Sequence, residues 1–314
     1  MEIEGLNVVD EVKMGMMLPG SDRASVLDRV RKMENAGLDS IWVGDHIAFH
    51  IPVIESLSLL AFCAAATERI ELATGVLLLP LRNPTLTAKM TGSIDMLSNG
   101  RLTLGVGVGG EFPPEFQAVD SPIADRGPRT NEAIEILRRH WAEGKAGYEG
   151  EHFKFDPVKI EPKPVREGGP PIIVGGRKSV SMKRAGRLGD GYISHMCDVE
   201  TYSNNLKQIG GHAKDAGRAG KPFQTAALLF TVLDDNYEAA HKRAAEMLGK
   251  IYNTDFTEAS KRYCLLGKPE DCLEQMRNFA KAGCRHFVMS ALSDPDEIIE
   301  RASTEMITEL RSIV

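Results

Sequence analysis

A (β/α)8 barrel is the fold that this 314-residue chain predicts, and three observations predict it. Short runs rich in β-forming residues alternate with longer segments of helical period along the whole chain, the signature of parallel strand–helix units. The runs number eight, which closes a barrel at this length, although a doubly wound sheet can be built from the same units. Glycine follows the helical segments at Asn35-Ala36-Gly37, Ser98-Asn99-Gly100 and Lys281-Ala282-Gly283, each shortly before the next run. No stretch is Ser- or Gly-rich enough to act as a flexible linker, so residues 1–314 are expected to form a single domain.

The expected strands cover residues 12–18, 40–43, 70–77, 102–108, 171–174, 191–194, 225–233 and 285–290. Ser21-Asp22 can cap the first helix, whose inner stripe is Val26, Val30 and Met33. The helix after the third strand offers Leu86, Met90, Ile94 and Leu97 at the same spacing. In the fourth run, LTLGVGVGGEFPPE, the leucines and valines alternate with Gly105, Gly107 and Gly109, so one face is apolar and the other bare. Gly105, Gly107 and Gly110 formally satisfy the dinucleotide fingerprint. Pro113 and Pro114 oppose it, because they fall in the second turn of the required helix, where a proline costs about 3 kcal/mol or more. Two stretches exceed a simple loop, about 111–169 after the fourth strand and 234–283 between the seventh and eighth. The first holds a helix at 131–142 with Ile134, Leu137 and Trp141 on one side, then a hairpin-like segment at 148–160. The chain ends in a helix striped by Ile299, Ala302, Met306, Leu310 and Ile313.

A net charge of −6 argues against a general nucleic-acid or membrane surface, which leaves small molecules as the expected ligands. The N-terminal residues carry no signal pattern and no run is long enough to span a membrane, so a cytoplasmic protein is expected. The cysteines at 63, 197, 264, 272 and 284 are odd in number and lack C-x-x-C or zinc spacing, which predicts buried reduced thiols.

In a barrel of this kind chemistry sits at the carboxyl ends of the strands. The second strand delivers Asp45-His46, the third Thr74-Gly75-Val76, the fifth Gly175-Gly176-Arg177-Lys178 and the sixth His195. A histidine with a carboxylate neighbour suits proton transfer near neutrality, while a histidine after a strand is as often structural. His50 lies four residues beyond His46, but no further ligands accompany it and no metal site is expected. The Gly175-Gly176 pair opens a helix with bare amides, a setting that favours phosphate, with Arg177 or Lys178 to neutralise it.

SIWVGDH, ATGVLLLPLRNPTLTAK, GRLTLGVGVGGEFPPEF, RGPRTNEAIEILRRHW, PPIIVGG, GDGYISH and LLGKPEDCLEQMRNFAKAGCRHFVM, in that order from about residue 13 to 314, resemble the bacterial luciferase-like family of flavin and deazaflavin oxidoreductases. The resemblance implies a barrel that holds FMN or coenzyme F420, with a cis peptide at Gly75-Val76 behind the ring and with Gly107 and Gly109 clearing space for it. It implies that Asp45-His46 is the family's Asp-His pair, Asp45 serving catalysis and cofactor binding and His46 lying close to the hydride-carrying carbon, and Glu111 as a partner acid, although Gly110 offsets that match. In such a barrel Gly175, Gly176 and Arg177 are expected to take the cofactor's phosphate and Lys183 or Arg184 the acidic tail that F420 carries, while His195 either lines the cofactor and substrate space or is a core histidine. Glu115-Phe116 resembles a recurrent structural element tied to Arg126 or Arg129.

The Asp-His pair, where the light-emitting branch shows Glu-His-His, favours F420 and hydride transfer to or from a small organic substrate. The alternatives are an FMN-dependent monooxygenase served by a separate reductase, and a non-catalytic flavin-binding protein. Relatives commonly form homodimers through helices near the second and third strands. The substrate itself is not readable, its pocket being expected among Phe112, Phe116, Tyr148 and residues 252–263.

Overall fold

The computed structural model describes residues 3–20, 22–142 and 144–313. Eight parallel strands follow one another in chain order: β1 (Lys13–Met17), β2 (Ser40–Val43), β3 (Glu71–Thr74), β4 (Leu102–Gly107), β5 (Ile172–Gly175), β6 (Gly191–His195), β7 (Pro222–Leu233) and β8 (His286–Ala291). β8 pairs in parallel with both β7 and β1, which closes the (β/α)8 barrel. Strands paired on both edges and covered on both faces must be apolar along their length, and β2, β4 and β5 are buried at every residue. The molecule divides into two compact units, residues 43–175 and residues 1–42 with 176–314.

In the 43–175 unit the helix Pro84–Leu97 departs from its expected orientation. Leu86 and Leu97 are 59% and 64% exposed, and the buried face is Thr87, Ala88, Thr91, Gly92, Ile94 and Asp95. Close packing explains this: a Cβ on Gly92 would lie 3.2 Å from the Pro162 carbonyl, and the Trp141 indole N–H donates to the Ala88 carbonyl. Buried Asp95 accepts hydrogen bonds from the Val165 amide at 2.9 Å and from Arg166, tying down the segment before β5. Small residues bring the backbones together, so this helix's leucines are left outside. The helix expected at 131–142 begins earlier, at Arg126–Trp141, and buries Ile134, Leu137 and Trp141. The hairpin is Ala146–Glu149 against Lys154–Val158.

In the other unit, Asp22 caps the helix Arg23–Asn35 by accepting from the Ala24 and Ser25 amides, while Ser21 lies outside the described residues. Val26, Val30 and Met33 are buried as expected. Gly37, Gly283 and, in the first unit, Gly100 take positive φ just past their helices, which only glycine does without strain. Two strands escaped prediction, the first being Asn7–Val8, which pairs in parallel with the start of β7. Cys264–Gly267, inside the expected 234–283 stretch, pairs in parallel with Phe230–Leu233 of β7, beyond the residues 224–228 that pair with β6, while β8 pairs with residues 226–231. Four residues between helical segments carry too little periodicity to be told from a buried helix turn. The closing segment buries Ile299, Ala302, Met306 and Leu310 through a π turn at Ala302–Met306, while Ile313 is half-buried. No helix among the described residues is long and apolar enough to cross a membrane.

Candidate active site

Asp45 and His46 follow β2 in the 43–175 unit and face different neighbours. The Asp45 carboxylate is fully buried: Oδ1 accepts from the Ser56 hydroxyl at 2.9 Å and from Arg82 Nη2 at 2.5 Å, and Oδ2 accepts from the Leu78 amide at 2.9 Å. Arg82 pairs through its other terminal nitrogen with Glu55 at 3.0 Å. Asp45 therefore ties the end of β2 to the segment that follows β3, and its side chain is not the one that meets the imidazole.

The partner of His46 comes from 69 residues further on. Nδ1 lies 3.2 Å from Glu115 Oε2, which also accepts from the Ile47 amide at 3.2 Å. The imidazole is partly exposed whereas the Glu115 side chain is fully buried. Phe49 stacks on the ring at 3.9 Å with planes 10° apart, and Phe112 meets Phe49 edge-on at 5.8 Å. The expected link from Glu115 to Arg126 or Arg129 is not formed: Arg126 donates to the Ile123 carbonyl and Arg129 lies over the Phe153 ring. Glu111 sits on the exposed surface of the turn between β4 and this carboxylate.

The Gly75-Val76 peptide is cis. Strand pairing resumes after it at Leu77–Leu78, one residue out of register with the pairing of β3, so the residues between form a bulge. This bulge corrects the reading of the bare face of β4. A Cβ on Gly105 would strike the Thr74 carbonyl, and one on Gly107 would lie 2.5 Å from Val76 Cγ2. The glycines make room for the neighbouring strand, whose Val76 side chain fills the space. Gly109, at φ +60°, packs beside Leu78 and Phe116. Phe116 and Tyr148, expected to line a pocket, are core residues: Phe116 clusters with Leu78 and Leu81, and Tyr148 donates to Glu135 beneath the Arg139 guanidinium.

Gly175 ends β5, the last strand of that unit, and Gly176 opens the other, where it adopts φ +145°. A Cβ on Gly176 would collide with the Ser181 side chain in the first turn of the helix Ser179–Leu188. The Gly176 carbonyl accepts from the Tyr192 hydroxyl at 3.0 Å, and that oxygen accepts from Asn205 Nδ2 at 3.0 Å. Arg177 and Lys178 are exposed at this turn, Lys183 is exposed, and Arg184 is buried. His195 ends β6 edge-on to Phe230 at 5.3 Å, and burial, with the Arg177 charge adding, pushes its pKa down to about 4. It is thus neutral at pH 7. Tyr252 and Phe256 pack with Phe230 beyond it. Among the described residues no cluster of three or more His, Cys, Asp or Glu is arranged to hold a metal, and His50 leans on Phe49.

Residues 6–286 match the luciferase-like monooxygenase family. The chain belongs to that family. Among its relatives, the F420-dependent glucose-6-phosphate dehydrogenase of Amycolatopsis mediterranei is 25% identical, the match covering 90% of this chain and 93% of the relative. The 5,10-methylenetetrahydromethanopterin reductase of Archaeoglobus fulgidus is 28% identical over 90% of this chain and 94% of its own length. Among solved structures, an F420-dependent secondary alcohol dehydrogenase in complex with an F420-acetone adduct superposes with a TM-score of 0.85 at 20% identity, over 96% of this chain and 99% of that one.

Two contacts of this candidate site were missed in the sequence. Ser56 and Arg82 brace Asp45 from separate elements, and Glu115 reaches His46 across 69 residues. Only the double proline before Glu115, which starts the helix Pro113–Ala118, signals that this carboxylate has a set place.

Proposed function

We propose that this chain is an F420-dependent oxidoreductase in which His46 exchanges a proton with a small organic substrate. The observation that carries this reading is the end of β2: a partly exposed imidazole whose Nδ1 is committed to Glu115, leaving Nε2 for chemistry. When bound, F420 supplies a ring carbon that gives or takes a hydride.

The chain's own features fit such a group. The bulge at Gly75-Val76 is partly exposed and lies beside β4, near the end of which lie Gly107 and Gly109. Gly175-Gly176, a backbone turn that excludes a side chain and leads into a helix, suits a phosphate, with Arg177 adding positive charge. His195, held neutral, is an uncharged lining residue for the substrate. Asp45 holds the strand end that carries His46, and Glu111 is retained as a second acid at the turn after β4.

The whole chain is read as one catalytic domain working in the cytoplasm, where five free buried thiols stay reduced. A homodimer is supported by the apolar side chains of Leu86, Met96 and Leu97 left exposed on one helix.

Titration of the purified protein with F420 and with FMN, followed by absorbance and fluorescence, tests the reading. F420 is expected to bind and FMN to bind far more weakly; tight FMN binding without F420 binding would replace hydride transfer by monooxygenation with a partner reductase. His46→Ala is expected to bind F420 within about twofold of the parent while turnover falls by about 10²–10⁴, the usual contribution of a general acid–base. Unchanged turnover in His46→Ala would remove the proton-exchanging role assigned to His46, whereas a parent that binds F420 and turns over nothing would return the chain to a cofactor-binding role.

A further inference from the structure

Glu115 holds one of the least economical carboxylates in the molecule. Its side chain is fully buried, no Lys or Arg pairs with it among the described residues, and Oε1 has no hydrogen-bond partner. Asp45, equally buried, satisfies both oxygens with three donors, as a structural tie should. Glu115 instead spends a single oxygen on His46 Nδ1 and the Ile47 amide. Burying a carboxylate this way is unfavourable unless its charge is answered nearby, and His46 is the ionisable group it touches.

We propose that Glu115 is a positioning residue that holds His46 in one orientation with its proton on Nδ1, so that Nε2 is the atom that takes up or delivers a proton. This rests on the reading of His46 as the proton-exchanging group. Oε2 accepts from the Ile47 amide and so presents a bare oxygen to the imidazole, which makes Nδ1 the donor of that contact. A neutral imidazole carries one N–H, and with it on Nδ1 the lone pair belongs to Nε2. When Nε2 takes a proton, the ring gains positive charge and Nδ1 keeps its bond to a carboxylate, the arrangement that stabilises an imidazolium. Phe49 fixes the ring plane from its face while Glu115 fixes it from its edge.

The local sequence builds this placement. Pro113 and Pro114 occupy the first two positions of a six-residue helix, where their missing amides cost nothing, and Glu115 follows as the third. Phe116, clustered with Leu78 and Leu81, anchors the helix beside the bulge. A carboxylate on so short a helix stays put only because its neighbour is locked in the core.

The test reads the tautomer of His46 in cofactor-free protein. The chain has eight histidines, so ¹⁵N-histidine labelling with long-range ¹H–¹⁵N correlation resolves them, and the signals lost in His46→Asn identify the ring. The parent is expected to show a protonated Nδ1 and a lone pair on Nε2. Glu115→Ala should shift the ring toward the Nε2–H form; Glu115→Gln should retain Nδ1–H, because the Ile47 amide selects the amide oxygen for the place of Oε2. In the F420-loaded enzyme, Glu115→Ala should lower kcat by about 10- to 100-fold, as misplaced catalytic groups do, with KM for F420 within about twofold and most of the loss recovered in Glu115→Gln.

An Nε2–H ring in the parent, or a tautomer unmoved in Glu115→Ala, overturns the proposal whatever happens to turnover. If Glu115→Ala does not fold, the parent and Glu115→Gln spectra decide by the same criterion. A tautomer that follows Glu115 in a protein that fails to bind F420 would overturn the proposed function and leave the Glu115 assignment to His46 standing.

Discussion

Asp45 and His46 are adjacent in the chain, yet one is spent on holding the fold and the other is left available. Each Asp45 oxygen accepts from a group on another segment, so Asp45→Ala removes an anchor and leaves buried donors at Ser56, Arg82 and Leu78 unmet. Breaking a buried charged network from one side costs about 3–5 kcal/mol, and denaturant unfolding of Asp45→Ala is expected to show a loss of that order. His286 offers a second test, on pH. It is buried with Nε2 2.6 Å from the Ser40 hydroxyl, which in turn accepts from the Trp42 indole. Burial, with the Lys13 charge adding, pushes its pKa from 6.5 down to about 3. Between these values the unfolded chain binds a proton that the folded chain refuses, so stability falls as pH drops through that window. In urea titrations from pH 6.5 to 4, the parent should lose up to about 1.4 kcal/mol per pH unit more than His286→Gln.

Among the elements, β4 and the bulge beside it act as one piece. The bare residues of β4 accommodate the strand that kinks at Gly75-Val76, and the two glycines meet different obstacles. Gly105→Ala drives a methyl into the backbone carbonyl of Thr74, a residue that is also held to β4 because its hydroxyl donates to the Gly105 carbonyl at 2.7 Å. Gly107→Ala meets only the Val76 side chain. Overpacking a core costs about 1–3 kcal/mol, and Gly105→Ala is expected at or above the top of that range with Gly107→Ala near the bottom. A double-mutant cycle in thermal or urea unfolding checks the cause: Val76→Ala should relieve Gly107→Ala and leave Gly105→Ala unrelieved. The helix Pro84–Leu97 makes a related point about periodicity, since its leucines face outward and its small residues face the core.

For the molecule as a whole, burial predicts the chemistry of the thiols. All five cysteines are free and buried, and desolvation pushes each thiol up to about 12. A thiol reagent at pH 8 is expected to titrate none of them in the native protein and five after unfolding; a fast-reacting native thiol would show a local opening that the fold does not contain. By itself the sequence determined the eight strands, the glycines that end the helices and the exclusion of a dinucleotide helix at Pro113-Pro114. Each of these rests on local terms: period, cap geometry and a missing amide. What surrounds a side chain was decided only by the tertiary structure. The strand Cys264–Gly267 exists because the long β7 extends past its pairing with β6, and the face of β4 is filled because the chain bulges after β3. The same holds at the end of β2, where the acid beside His46 is Glu115 and not its sequence neighbour Asp45. Periodicity says which way a residue points, but a hydrogen bond between residues 46 and 115 depends on chain closure over 69 positions, which no local pattern encodes.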